Sequence, residues 1–316
     1  MHITRLPARR SPRPDSNGTC MPLPSLIRLL LLGMIWGASF LFQRITVPAV
    51  GAAFTAAMRL ALAAIMLVIL LRVLGRSLDL RRQWRAWLWL GTISAALPFL
   101  CFAYAARSLP AGYMAVINAT VPLLTVVMAA LMLRAHPSWS KRIGVVVGLV
   151  GVAVLARYGS LGMNAQSLSA IGLCFIASAL YAYSSLFIRQ RHSSVDPLVL
   201  AGSSQLGAAI VMLPLGILNL PTRLPPGSVI ASLLVLGLIC TGLAYVLYFR
   251  LLSDVGSEKA VTNTFLVPVF AQIWGALFLG EHLTLAGAIG FALVLLAIAL
   301  VLEIRPWRRR APTIST

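Results

Sequence analysis

Asn118 and Asn263 each stand shortly before a proline, Pro122 and Pro268, inside an apolar run. Proline has no backbone N–H, so within a helix the carbonyl about one turn earlier, at Asn118 in the first case and Thr264 in the second, loses its usual partner. Side-chain amide and freed backbone oxygen then offer a polar solute both donors and acceptors. Trp36, Phe40 and Gln43 follow one another at i, i+4 and i+7 and share a helix face. An amide beside two aromatics is costly against lipid and sensible against a cavity. Arg59, set among small residues in AAFTAAMRLALAA, can attract a carboxylate or phosphate at a cavity mouth. Tyr104, Tyr181, Tyr245 and Tyr248 add rings with a hydroxyl handle. These residues form the candidate lining of a substrate-binding site. Each also has a structural alternative. Arg44 and Arg59 can snorkel to the interface, Trp36 can sit in an aromatic belt, and the amides can bond a neighbouring helix.

Other chemistry is missing from the sequence. No Gly-rich loop is followed by Lys and Ser or Thr, so nothing is built to cradle nucleotide phosphates, and no cofactor is expected. The histidines His2, His136, His192 and His282 lie in the tail or in hinges, and no nucleophile motif accompanies them, which argues against an enzyme. Cys20, Cys101, Cys174 and Cys240 occur singly and read as small apolar residues, not as a metal or disulfide framework. The seven carboxylates all fall in loops or at span ends. A mid-membrane proton relay is therefore absent. If a proton is coupled to transport, it travels with the substrate or on an end-of-helix acid, Glu258 or Glu281. The favoured role for both acids is plainer, since a negative charge beside a helix start offsets the dipole by about 0.3 to 1 kcal/mol.

What must position these residues is a set of membrane helices. The 316 residues are 59% hydrophobic and 10% charged, with mean hydropathy +0.92. A net charge of +19 could point to nucleic acid, but the basic residues punctuate apolar runs instead of forming one face. No nucleic-acid partner is expected. Ten stretches approach the roughly 20 apolar residues that cross a bilayer: 26–47, 51–74, 87–106, 111–133, 143–158, 168–188, 197–218, 229–251, 259–280 and 283–302. With the N-terminus inside, every Lys and Arg except Arg44, Arg59, Arg107, Arg157 and Arg223 falls on the cytoplasmic side, which places both termini there. Residues 1–24, rich in Arg, Pro and Ser, read as a disordered basic tail, with Met21 an alternative start, and 305–316 as a basic cytoplasmic tail. Gly144, Gly148 and Gly151, with Gly287 and Gly290, allow close helix approach, a homodimer contact included.

The stretch from Ala115 to Val154 is echoed by the one from Ala260 to Leu300. Five spans per copy is an odd number, so the second copy enters the membrane inverted. The hinges agree: 134–142 (RAHPSWSKR) is basic, whereas 280–284 (GEHLT) has no Lys or Arg. The expected fold is all-α and integral to the membrane, with ten transmembrane helices as two inverted five-helix repeats, 25–160 and 161–304. Interrupted helices at matching places in two such halves point to a transporter with its site between them.

GLICTGLAYVLYFRLL at 237–252 and VPVFAQIWGALFLGEHLT at 267–284 resemble the EamA-type branch of the drug/metabolite transporter superfamily, as do WGASF at 36–40 and Arg59 in the second span. The resemblance spans almost the whole chain after about residue 25. It implies a bacterial inner-membrane carrier that exports amino acids or other small metabolites by alternating access. Export rests on the resemblance alone, and an importer or a passive channel of the same fold is the alternative. Ala135 stands where the second copy has Glu281, so any role of that acid is not doubled.

Overall fold

Once water is excluded, an apolar stretch can satisfy its backbone hydrogen bonds internally only as a helix. The computed structural model describes residues 21–78, 80–158 and 164–303, and among them it is helical without a strand. Among the described residues eight helices are long and apolar enough to cross a membrane: α1 Leu23–Val50, α2 Ala52–Val73, α3 Gln83–Ala105, α4 Ala111–Leu133, α5 Trp139–Arg157, α6 Ala165–Arg191, α7 Pro197–Leu218 and α8 Gly227–Gly256. Two shorter apolar helices follow, α9 Asn263–Leu279 and α10 Leu285–Val301. Residues 1–20 and 304–316, the two tails, lie outside the described residues, as do the choice of start and the side chain of Glu258. The first helix begins at Leu23, inside the stretch read as tail, because Pro24 in its first turn has no donor to leave unpaired.

The first proline break falls where it was expected and the second does not. In α4 the helix stops at Asn118, turns through Ala119 and Thr120, and restarts at Val121, with Pro122 in the new first turn. In the second half the turn comes earlier, at Val261 and Thr262, and Pro268 sits inside a continuous α9. Hydroxyl groups fill part of the first break. The Ile117 carbonyl accepts from the Thr120 hydroxyl at 2.7 Å and from Ser178 of α6 at 3.2 Å.

Packing pairs the helices across the chain. α5 runs along α10 and α2 along α7; α1 packs on α9 as α6 packs on α4; α3 packs on α7 as α8 packs on α2. Gly151 and Gly290 let α5 and α10 meet backbone to backbone. A Cβ added at Gly290 would stand 2.7 Å from the Gly151 carbonyl and 2.8 Å from the Leu155 nitrogen. The glycines expected to allow close helix approach do so here within the chain. Gly290→Val is expected to cost about 1 to 3 kcal/mol of stability through overpacking, seen as a lower melting temperature in detergent.

The surface is apolar, with Ile65, Ile69, Leu131, Leu149, Leu277 and Leu296 exposed. Gln43, Arg59, Ser203, Gln205, Thr241 and Asn263 are buried. This inside-polar, outside-apolar distribution suits lipid as solvent and leaves the centre of the bundle as the place for a polar solute.

At the end of α6, His192 packs between the rings of Trp87 and Phe187, at 5.4 and 5.7 Å. Burial, and then the neighbouring Arg191, hold its imidazole below the ordinary histidine range. The unfolded chain therefore takes up the proton first on acidification. The contribution of neutral His192 is complete above about pH 6.5 and fades as the pH falls further. Melting curves at pH 7.5 and 5.5 should differ less in His192→Phe than in the wild type.

Candidate functional site

Close helix approach sets Arg59 at the centre. Gly237 of α8 lies against α2 so tightly that a Cβ there would stand 3.2 Å from the Arg59 carbonyl. Gly237 lies within a widened π-helical segment, Val235–Leu243, of the kind that Thr92–Ala96 form in α3. Such turns re-aim side chains and recur at functional sites. In the α8 turn the Thr241 hydroxyl donates to the Leu236 carbonyl, five residues back, at 2.9 Å. Its lone pair is left to accept from Arg59 Nε at 2.8 Å.

Arg59 is 5% exposed, so it does not snorkel, and it lies deeper than a cavity mouth. Its guanidinium carbon is 3.7 Å from the centroid of the Phe99 ring. Among the described residues its two terminal nitrogens carry no hydrogen bond, and none of the four ion pairs includes it. A buried guanidinium is always charged. This one is met only by a ring face and a hydroxyl, and its fork of N–H groups is left to bind something else.

Aromatic rings wall the same place. Phe102 takes the edge of Phe40 at 5.6 Å and stacks with Tyr181 at 6.3 Å, while Tyr181 also meets Phe99 at 6.5 Å. Trp36 lies 5.5 Å from Tyr248, and Tyr245 stacks on Phe249 at 6.0 Å. Gln205 of α7 is fully buried near Tyr245, with neither of its side-chain polar atoms hydrogen-bonded. These contacts come in matched pairs. Gln205 follows Arg59 by the same number of residues as Tyr245 follows Phe99 and Tyr248 follows Phe102. Arg59 over Phe99 therefore corresponds to Gln205 beside Tyr245. Tyr181 on Phe102 is matched, one residue out of that register, by Trp36 on Tyr248. One half supplies a cation where the other supplies a neutral amide.

The remaining sequence candidates are placed as follows. Gln43 is buried and donates to the Ser39 carbonyl of its own helix at 3.3 Å. Asn263 is buried against Gly33 of α1 with neither side-chain polar atom bonded, and the Asn118 oxygen is likewise without a partner. Thr264 is half-buried beside Asn263. Tyr104 is 39% exposed and stands apart from the aromatic group. Phe99, Phe102, Gln205 and Thr241 were not singled out by sequence. A lone Gln in the apolar run LAGSSQLGAAI is a signal that could have found Gln205; the phenylalanines gave none.

Charged pairs close both ends of α1. At one end Arg28 binds Asp254 of α8. At the other, Arg44 Nε lies 3.5 Å from Glu281 and its Nη1 donates to the Ala106 carbonyl at 2.9 Å. The Glu281 oxygens also accept from the Ala111 nitrogen at 2.9 and 3.0 Å. The helix start beside Glu281 is thus that of α4 and not of its own α10. Two surface clefts, about 500 and 360 Å³, lie at helix ends around 218–223 and 72–78, and Arg59 lines neither.

A helical bundle with an apolar exterior and a charged, aromatic-walled centre defines a multi-pass membrane protein that handles a small solute. The chain belongs to the EamA-like transporter family, whose profile matches residues 23–157 and again 168–303. It is therefore a membrane transporter of the drug/metabolite type. It is similar to the uncharacterized inner membrane transporter YedA of Escherichia coli, at 27% identity over 88% of this chain and 90% of that one. It is also similar to a protein of Streptantibioticus cattleyicolor named "Probable terminal-alkyne amino-acid exporter", at 22% identity over 85% and 91%. A solved crystal structure shares the fold, with TM-score 0.64 and 19% identity over 88% of this chain and 96% of its own.

Proposed function

We propose that this chain is a secondary-active carrier that exports amino acids or other small metabolites by alternating access, and that it is not an enzyme. The observation that carries the reading is Arg59, buried between the halves, unpaired among the described residues, and walled by rings from α1, α3, α6 and α8. All ten apolar helices cross the membrane, α9 and α10 included, as inverted repeats at 25–160 and 161–304. The matched packing of α1 on α9 and α6 on α4, and of α3 on α7 and α8 on α2, supports that two-fold arrangement. Both termini face the cytoplasm of a bacterial cell, in keeping with the charge bias and with an inner-membrane relative. Export is favoured by the name of the Streptantibioticus relative.

The rings around Arg59 touch one another, so a solute enters only when the helices part at one end. Arg28–Asp254 and Arg44–Glu281 are the contacts that must open alternately. A second copy of the chain would have to dock elsewhere than on the α5 and α10 glycines. Saturable counterflow of amino acids and organic acids in proteoliposomes tests the carrier reading. Flux that never saturates identifies a passive channel, and a chemically altered product identifies an enzyme.

A further inference from the structure

We propose that the cargo is a monovalent carboxylate with a flat apolar body, and that the site selects it over the zwitterion of the same shape. The inference rests on the carrier reading and adds the charge of the substrate. Arg59 has Nε committed to Thr241 and one face covered by Phe99, which leaves the edge formed by its terminal nitrogens. Two parallel N–H groups on that edge match the two oxygens of a carboxylate. Binding one anion neutralises a charge that is costly to hold in the middle of a bilayer, so the loaded centre moves through its cycle uncharged.

The rest of the wall decides between anion and zwitterion. An ammonium group would need a carboxylate or several oxygen acceptors. Asp196, Asp254, Glu281 and Glu303, the acids whose side chains are described, lie at helix ends and are each paired with a cation. The groups facing Arg59 are Phe99, Thr241, Tyr181, Tyr245 and Cys240, none with a negative charge, and Gln205 beside Tyr245 adds one unpartnered amide oxygen where an ammonium needs several acceptors. Among the described residues Arg59 is the one buried Lys or Arg, which leaves no second cation at the centre for a phosphate dianion. Phe40, Phe102, Tyr181, Trp36 and Tyr248 instead offer ring faces and edges to an apolar body.

Four probes sharing one ring separate the charge states: 3-phenylpropanoate, L-phenylalanine, 2-phenylethylamine and phenyl phosphate, titrated calorimetrically into the purified full chain. Charge-assisted hydrogen bonds without an uncompensated ammonium predict that 3-phenylpropanoate binds about tenfold to a hundredfold tighter than L-phenylalanine, with the amine weakest. Arg59→Gln should erase the preference for the anion and Arg59→Lys should keep part of it. Thr241→Val, which leaves the charge in place, should weaken the carboxylate more than the amine. L-Phenylalanine or phenyl phosphate binding as tightly as 3-phenylpropanoate overturns the proposal, as does an unchanged preference in Arg59→Gln, or no binding by any probe. Counterflow with the same solutes keeps the two readings apart. Exchange of L-phenylalanine but not of 3-phenylpropanoate sinks the substrate class and leaves the carrier. The predicted binding order without exchange of any solute supports the class and sinks the carrier.

Discussion

Glu281→Ala is expected to lower the stability of the folded chain by about 2 to 4 kcal/mol, far more than any other single carboxylate replacement outside the centre. The size follows from what one side chain holds. Its carboxylate is 9% exposed, lies 3.5 Å from Arg44 Nε and accepts from the Ala111 nitrogen that opens α4. Removing it leaves a buried donor unpaired and Arg44 without its counter-charge. The Arg44 side chain is 29% exposed, so water screens part of that loss, and the estimate stays at the lower end for a buried pair. Glu281→Gln keeps an oxygen for Ala111 and should lose about half as much. Asp254→Ala serves as the comparison. That pair is 32% and 39% exposed, and its loss should cost under about 1 kcal/mol. Thermal melting of the three variants in one detergent gives the ranking, and equal shifts for Glu281→Ala and Asp254→Ala would remove the special role of Glu281.

The same difference has a consequence for access. α1 carries a cation toward each end, and only the Glu281 end also fastens the start of another helix. Releasing it frees α1, the start of α4 and the loop after α9 together. An impermeant thiol reagent should then reach Cys101, which lies close to Tyr181, faster in Glu281→Ala than in Asp254→Ala.

The helices were legible because hydropathy alone marks a segment that excludes water. The inside of the bundle was legible only where residue type contradicts a lipid-facing position. Arg59, Gln43 and Asn263 stand out in apolar runs for that reason. Tyr104 was selected by the same rule, yet it is exposed, because a tyrosine is at home both in a cavity and at a membrane interface. Phe99 and Phe102 carry no such contradiction, and their place beside Arg59 depends on the widened turn before them. An extra residue in a turn rotates everything beyond it by about 100°, so a face read at constant helical period fails downstream of Thr92–Ala96 and of Val235–Leu243. Thr241 shows the point most directly. Its bond to the carbonyl five residues back exists only in a π turn, and that bond aims its lone pair at Arg59. The second break was misplaced for another reason, since Pro268 sits inside a continuous α9 and the turn comes earlier, at Val261 and Thr262.

Arg59→Met is expected to make the protein more stable while reducing transport about a hundredfold. Methionine has similar length and reach, fills the space over Phe99 and needs no partner. The wild-type arginine donates a hydrogen bond to Thr241 and makes a ring contact worth about 0.5 to 2 kcal/mol. Against these stands a charge held in the centre of a bundle without a carboxylate, and replacing buried ionic groups with apolar ones of similar volume often stabilises by about 1 to 4 kcal/mol. The Thr241 hydroxyl keeps its bond to Leu236 in the variant and is not orphaned. The melting temperature should therefore rise or hold. The result divides two accounts of one residue. An arginine retained to hold α2 against α3 and α8 would, on losing its charge, lower the melting temperature and the amount of folded protein in the membrane. An arginine retained to take a solute would lose counterflow while the fold becomes firmer, and bound 3-phenylpropanoate would raise the melting temperature of the wild type but not of the variant.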